Sequence, residues 1–250
     1  MAPGTAARGF SRVVRERRSR RRSQRRLTIA VDSGVALDTF LFDLDGTIID
    51  SIELILRSYR HTMELHRCNE PAPPDDLWIK GLGTPLWTQF GQITDDKAEI
   101  EAMVQTYRTY NLTHHDALVK PYEGVVDEIR RIKRAGKRLG VVTSKLRDGA
   151  MRGIRISGLD EVFDIIVGCD DVKNFKPHPE PVLKAVDELG VAKTGTVFIG
   201  DSRHDMECGR AAGVKTAAVL WGPFDREHLQ DLSPDYWLEK PEDLRQLYEP

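Results

Sequence analysis

Apolar residues recur along this chain in two rhythms. Residues 37–44 form a short apolar run centred on Phe40, Leu41 and Phe42, which predicts a buried strand. It ends in the polar turn Asp43-Leu44-Asp45-Gly46-Thr47. Ile52, Ile55, Leu56, Tyr59 and Met63 then fall at helical spacing, as do Ile100, Met103, Val104 and Tyr107. Pro71, Pro73 and Pro74 break the first of these patterns. Short helices are expected over 77–90, around Gly81-Leu82-Gly83-Thr84-Pro85. Residues 50–118 therefore read as helical, with no strand. Pro121-Tyr122-Glu123-Gly124 reads as a re-entry loop.

Beyond it, strand and helix alternate. Helices are expected over 125–135, 147–157, 180–189 and 203–212, closed by Gly136, Gly158, Gly190 and Gly213. Strands are expected over 138–143, 165–168, 196–200 and 214–220. This alternation predicts an α/β fold with a doubly wound parallel sheet. The helical block is then an insertion after the first strand, giving a core of residues 31–49 and 119–250 around an insert of 50–118.

Composition changes the picture in two places. The net charge of −2 conceals an asymmetry, because residues 1–26 hold ten arginines, no lysine and the single acid Glu16. The remainder is strongly acidic, which argues against nucleic acid as a partner of the body. Residues 1–30 read as a disordered Arg-rich tail: a passive extension, an organelle transit peptide or a nucleic-acid-binding arm. The three cysteines, Cys68, Cys169 and Cys208, are widely separated. They suggest neither a disulfide framework nor a structural zinc site, and a cytoplasmic location is expected. No apolar run is long enough to span a bilayer, so no membrane partner is expected.

In sheets of this class ligands bind beyond the carboxyl ends of the strands. Asp43 and Asp45 follow the first strand, Thr143 and Ser144 the second, Lys176 the third, and Asp201 and Asp205 the fourth. Each alone reads equally as a turn, a helix cap or a solvated loop residue; their convergence on one sheet edge is what points to a site. Asp43 and Asp45, two apart on extended backbone, would project to one side, and such crowding favours a metal or a shared proton. Gly46 frees the chain to turn and offers a backbone N–H to an anion. Asp201 and Asp205 share a face at a helix start.

These residues resemble the four motifs of the haloacid dehalogenase (HAD) superfamily, in order. The matching segments are Asp43-Leu44-Asp45-Gly46-Thr47, Val141-Val142-Thr143-Ser144-Lys145, Lys176-Pro177-His178-Pro179-Glu180 and Gly200-Asp201-Ser202-Arg203-His204-Asp205. The resemblance covers residues 37–240 and implies a Rossmann-like core with a small α-helical cap. Asp45 implies phosphate hydrolysis, because dehalogenase and phosphonate-cleaving members usually lack that acid. Two subgroups look similar: phosphoglycolate phosphatases, expected first, and the inorganic pyrophosphatases, the alternative. A non-catalytic binding protein that kept the fold is the remaining reading.

The resemblance further implies that Asp43 is a nucleophile forming an aspartyl-phosphate, and that Asp45 protonates the leaving oxygen and then activates water. Gly46, Thr143, Ser144 and Lys176 would bind phosphate. Mg²⁺ would be held by Asp43, Asp45 (through its backbone carbonyl), Asp201 and Asp205. Lys145, Arg147 and Gly83 are candidate contacts to the rest of a small phosphorylated metabolite. His61, His66, His114 and His115 are expected as exposed cap residues, and Trp78 and Trp87 as cap core. A monomer or homodimer is expected.

Overall fold

The computed structural model describes residues 36–68 and 74–249. The chain divides into Met1–Gly34 and Val35–Pro250; the first unit, with the Arg-rich segment, lies outside the described residues. The strands are β1 (Thr39–Phe42), β2 (Ile49–Asp50), β3 (Lys120–Pro121), β4 (Arg138–Val142), β5 (Ile165–Val167), β6 (Thr196–Gly200), β7 (Lys215–Val219) and β8 (Tyr236–Leu238). The helices are α1 (Ile52–His66), α2 (Asp75–Lys80), α3 (Leu86–Phe90), α4 (Lys97–Leu118), α5 (Val125–Arg134), α6 (Arg147–Ile156), α7 (Glu180–Leu189), α8 (Arg203–Ala212) and α9 (Arg226–Leu229).

Six strands form one parallel sheet in the order β5-β4-β1-β6-β7-β8. Alternate side chains on each strand go to opposite faces. Phe40 and Phe42 of β1, with Val197 and Ile199 of β6, pack with Ile129 and Ile132 of α5 and Ile154 of α6. Leu41 and Phe198, between them in sequence, pack instead with Val182 and Val186 of α7 and Cys208 of α8. Strands buried on both faces read as unbroken apolar runs, which is why β1 and β6 are conspicuous in the sequence.

β8 pairs with β7 at the sheet edge and lies beyond the last strand expected from the pattern. β2 and β3 form a separate antiparallel pair, Ile49 beside Pro121 and Asp50 beside Lys120. Two-residue strands carry no periodicity, so this clasp was invisible to pattern reading. Helices α1 to α4 lie between its strands and share their own core of Ile55, Tyr59, Met63, Trp78, Phe90, Met103 and Tyr107. Tyr59 stacks on Trp78 with ring centroids 4.2 Å apart, a contact worth about 0.5–1.5 kcal/mol beyond its buried area.

Candidate active site

Asp43 is the first residue after β1, and its N–H still donates to the Ile199 carbonyl at 2.8 Å. The sheet therefore holds its carboxylate in place. Asp201 follows β6 directly, and Asp205 sits in the first turn of α8. There Ser202 and Asp205 cap each other: the Ser202 N–H and hydroxyl both donate to Asp205, at 3.0 and 2.6 Å. One oxygen of each of Asp43, Asp201 and Asp205 lies within 4.8 Å of the others, and all three are buried.

Lys176, 3% exposed, is placed against this trio. Its Nζ donates to Asp43 at 2.8 Å and to Asp205 at 2.7 Å. Thr47 donates to Asp201 at 3.1 Å. Three carboxylates thus share one buried ammonium. Burial pushes Asp43 up to about 7 despite the pull of Lys176, with Asp205 adding to the rise. Burial, then repulsion from Asp205 and Asp43, holds Asp201 well above the usual carboxylate range. Burial opposes the charge of Lys176, but Asp205 and Asp43 outweigh it and hold the ammonium firmly protonated.

A divalent cation fits this donor set. The ionised trio exceeds its single ammonium by two charges, in a place where unbalanced charge is costly. The second oxygen of Asp43 and of Asp201 takes no hydrogen bond among the described residues. Asp205 already accepts from Lys176 and twice from Ser202, which suits it to a place behind the ion.

The Asp45 carboxylate stands outside the trio. Lys145 donates to it at 2.8 Å and Ser51 at 2.6 Å. Burial pushes its pKa up, but Lys145 and Ser51 outweigh this and keep it below the ordinary value. Asp43 and Asp45 nevertheless line one cavity of about 300 Å³, with Thr143, Ser144, Lys145 and Gly83. The Thr143 hydroxyl accepts from the Lys145 N–H at 3.2 Å, which leaves its proton for a ligand.

Other expected roles change. The Gly46 N–H donates to the Ile49 carbonyl at 2.9 Å, so it is engaged rather than offered to an anion. The need for glycine there is steric: φ is +88°, and a Cβ would come within 2.5 Å of the Asp201 carboxylate. The Ser144 hydroxyl donates to the Gly83 carbonyl instead of facing a phosphate. Gly83, with φ +92°, passes so close to Ser202 that a Cβ would lie 3.1 Å from its hydroxyl.

Arg147 does not reach the cavity. Its guanidinium donates to the Ile166 carbonyl and to Asp171, because the rising β5 edge offers acceptors on that side of α6. His115 is fully buried, not exposed; the stripe Met103-Tyr107-Asn111-His115 carries it to the inner face of α4. Trp87 is 36% exposed and is not core. It sits edge-on to Phe175, centroids 5.2 Å apart, at the cavity wall. Arg108, which pattern reading passed over, also lines the cavity.

A parallel sheet presenting an acidic trio, a bridging lysine and a second aspartate at one edge defines a class. The chain belongs to the haloacid dehalogenase-like hydrolases, whose family model matches residues 40–219, and it is a phosphatase of that superfamily. Pyrophosphatase PpaX of Halalkalibacterium halodurans is 43% identical over 208 residues, covering 83% of this chain and 95% of its own. The crystal structure of a haloacid dehalogenase-like hydrolase from Bacteroides fragilis superposes with a TM-score of 0.78 at 28% identity, covering 83% of this chain and 99% of that one. A protein from Haemophilus somnus described as a phosphoglycolate phosphatase superposes at 0.76 with 20% identity, over 84% and 97%, a likeness of fold alone. No helix among the described residues is long and apolar enough to cross a membrane.

Proposed function

We propose that this protein hydrolyses inorganic pyrophosphate, with Mg²⁺, through an aspartyl-phosphate on Asp43. The observation that carries the choice of substrate is the ion pair between Lys145 and Asp45, seen beside the name borne by the 43% identical relative. In the first step the free oxygen of Asp43 attacks phosphorus as the bond to the leaving oxygen breaks. Thr143 and Lys176 bind the transferred phosphoryl, and Lys176 offers positive charge where negative charge spreads. An alkoxide would need a proton at this point. The distal phosphate of HP2O7³⁻ already carries a proton and leaves as the stable dianion HPO4²⁻ without another, so an ion-paired Asp45 suits pyrophosphate better than an alkyl phosphate. In the second step Asp45 takes a proton from water, the hydroxide adds to phosphorus and the bond to Asp43 breaks. The balance is one HP2O7³⁻ and one water to two HPO4²⁻ and one proton, which Asp45 releases to solvent before the next turnover.

Asp43 and Asp201 would hold the cation, with Asp205 behind and the backbone carbonyl of Asp45 as a further donor. When bound, the ion offsets repulsion between the carboxylate nucleophile and the anionic substrate. The helical insertion, whose Gly83 carbonyl accepts from Ser144, acts as the cap that shields the centre from water. Three unpaired cysteines fit a reducing, cytoplasmic setting, and a monomer or homodimer acting on a small metabolite suffices for this chemistry.

The test is a phosphate-release panel with Mg²⁺ and with EDTA, using pyrophosphate, phosphoglycolate and sugar phosphates. Pyrophosphate should give the highest kcat/KM, and EDTA should abolish it. A preference for phosphoglycolate would overturn the reading, and no release from any donor would favour a binding protein.

A further inference from the structure

We infer that Arg108 recognises the distal, leaving phosphate of the substrate, an assignment that rests on the pyrophosphate reading above. Arg108 lies on α4, where Arg108, Asn111 and Leu112 stand at helical spacings of three and four. All three line the cavity that holds Asp43 and Asp45. Arg108 is half-buried. The three acids lining that cavity are Asp43, Asp45 and Asp148, and no ion pair or hydrogen bond joins Arg108 to any of them or to another described residue.

Every other cation near the centre is engaged. Lys176 bridges Asp43 and Asp205, Lys145 holds Asp45, and Arg147 turns to Asp171. Arg108 alone among these four has no counter-charge. The lining of the same cavity includes Ile55, Leu82, Leu86 and Leu112, which offer no hydrogen bonds. A guanidinium in that setting gains most from an anion, and its planar fork matches two phosphate oxygens. A substrate anchored at Asp43 by one phosphoryl group would present its second elsewhere in the same cavity, whose lining includes Arg108 on α4. The catalytic acids therefore come from the sheet, and the charge that selects a doubly anionic substrate comes from the inserted helices.

The experiment measures kcat and KM of Arg108→Met and Arg108→Lys with pyrophosphate and with p-nitrophenyl phosphate, whose leaving group carries no phosphate. Arg108→Met should raise KM for pyrophosphate by about tenfold or more, the usual scale for losing a charge-assisted contact. Its kcat/KM for p-nitrophenyl phosphate should stay within about twofold of wild type, because the transferred phosphoryl keeps all its contacts. Arg108→Lys should lie between, keeping the charge without the fork. Equal losses on both substrates, or no loss on pyrophosphate, would overturn the assignment. Should Arg108→Met fail to fold by circular dichroism, Arg108→Lys decides alone: a KM rise confined to pyrophosphate supports it, and any other pattern sinks it. Wild-type protein that ignores pyrophosphate would refute the preceding reading and this one together. Wild-type turnover with insensitive variants would refute only this one.

Discussion

Replacing Asp43 by Asn should stabilise the metal-free protein while abolishing turnover. The carboxyl is 5% exposed, and burial raises it from 3.8 to about 7. Keeping such a group ionised costs about 4 kcal/mol, at 1.36 kcal/mol per pKa unit. The amide removes that cost but weakens the bond from Lys176, so a net gain of about 1–2 kcal/mol is expected. For a domain of this size that is a rise of about 2–8 °C in Tm. The sign follows from proton linkage. A carboxyl with a higher pKa folded than unfolded takes up a proton on folding, so its contribution to stability falls as pH rises from about 4 to about 7. The difference between variant and wild type should therefore be largest near pH 8 and vanish toward pH 4. Mg²⁺ should reverse the order: at a hundred times its Kd it adds about 2.7 kcal/mol to the wild type and much less to a variant lacking one ligand. The assay is thermal melting at several pH values, in EDTA and in Mg²⁺. An Asp43→Asn protein that melts below wild type in EDTA at pH 8, or that gains as much from Mg²⁺, would refute the picture of a trio held together against its own repulsion.

Gly46→Ala should destabilise the fold by about 2–3 kcal/mol in urea titration, from strain at φ +88° plus the clash with Asp201; an unchanged midpoint would show that the turn yields freely. Lys145→Met should move the acidic limb of the pyrophosphate kcat profile to higher pH. Burial then acts on Asp45 unopposed by the ammonium, and the ionised base is lost sooner as pH falls. A lower rate with an unmoved limb would mean that the limb belongs to another group.

Most of the sheet could be read from the chain because its strands are buried on both faces and its helices end at glycines. α7, β6 and α8 fall where the pattern puts them. What escaped has too little periodicity: β2 and β3 are two residues each, and β8 is a three-residue edge strand with two half-buried residues. The acidic centre was legible because Asp43 and Asp201 directly follow strand ends, where backbone direction is fixed, and Asp205 lies in the first turn of the helix after β6. The Gly46 and Ser144 roles were not, because they depend on which partner claims an N–H or a hydroxyl. Arg147 and Arg108 show the same limit from opposite sides. Both look like solvated helix residues, and only the fold decides that one meets Asp171 while the other lines the cavity.

The clasp of Ile49–Asp50 against Lys120–Pro121 leaves the start and finish of the inserted helices one strand spacing apart, about 4.8 Å. A replacement lid of any length with closely spaced ends could be spliced there without disturbing the sheet. Substrate preference then becomes a transplantable property. New selectivity can be grafted by exchanging the whole module, while the bond-breaking machinery beneath it is inherited intact.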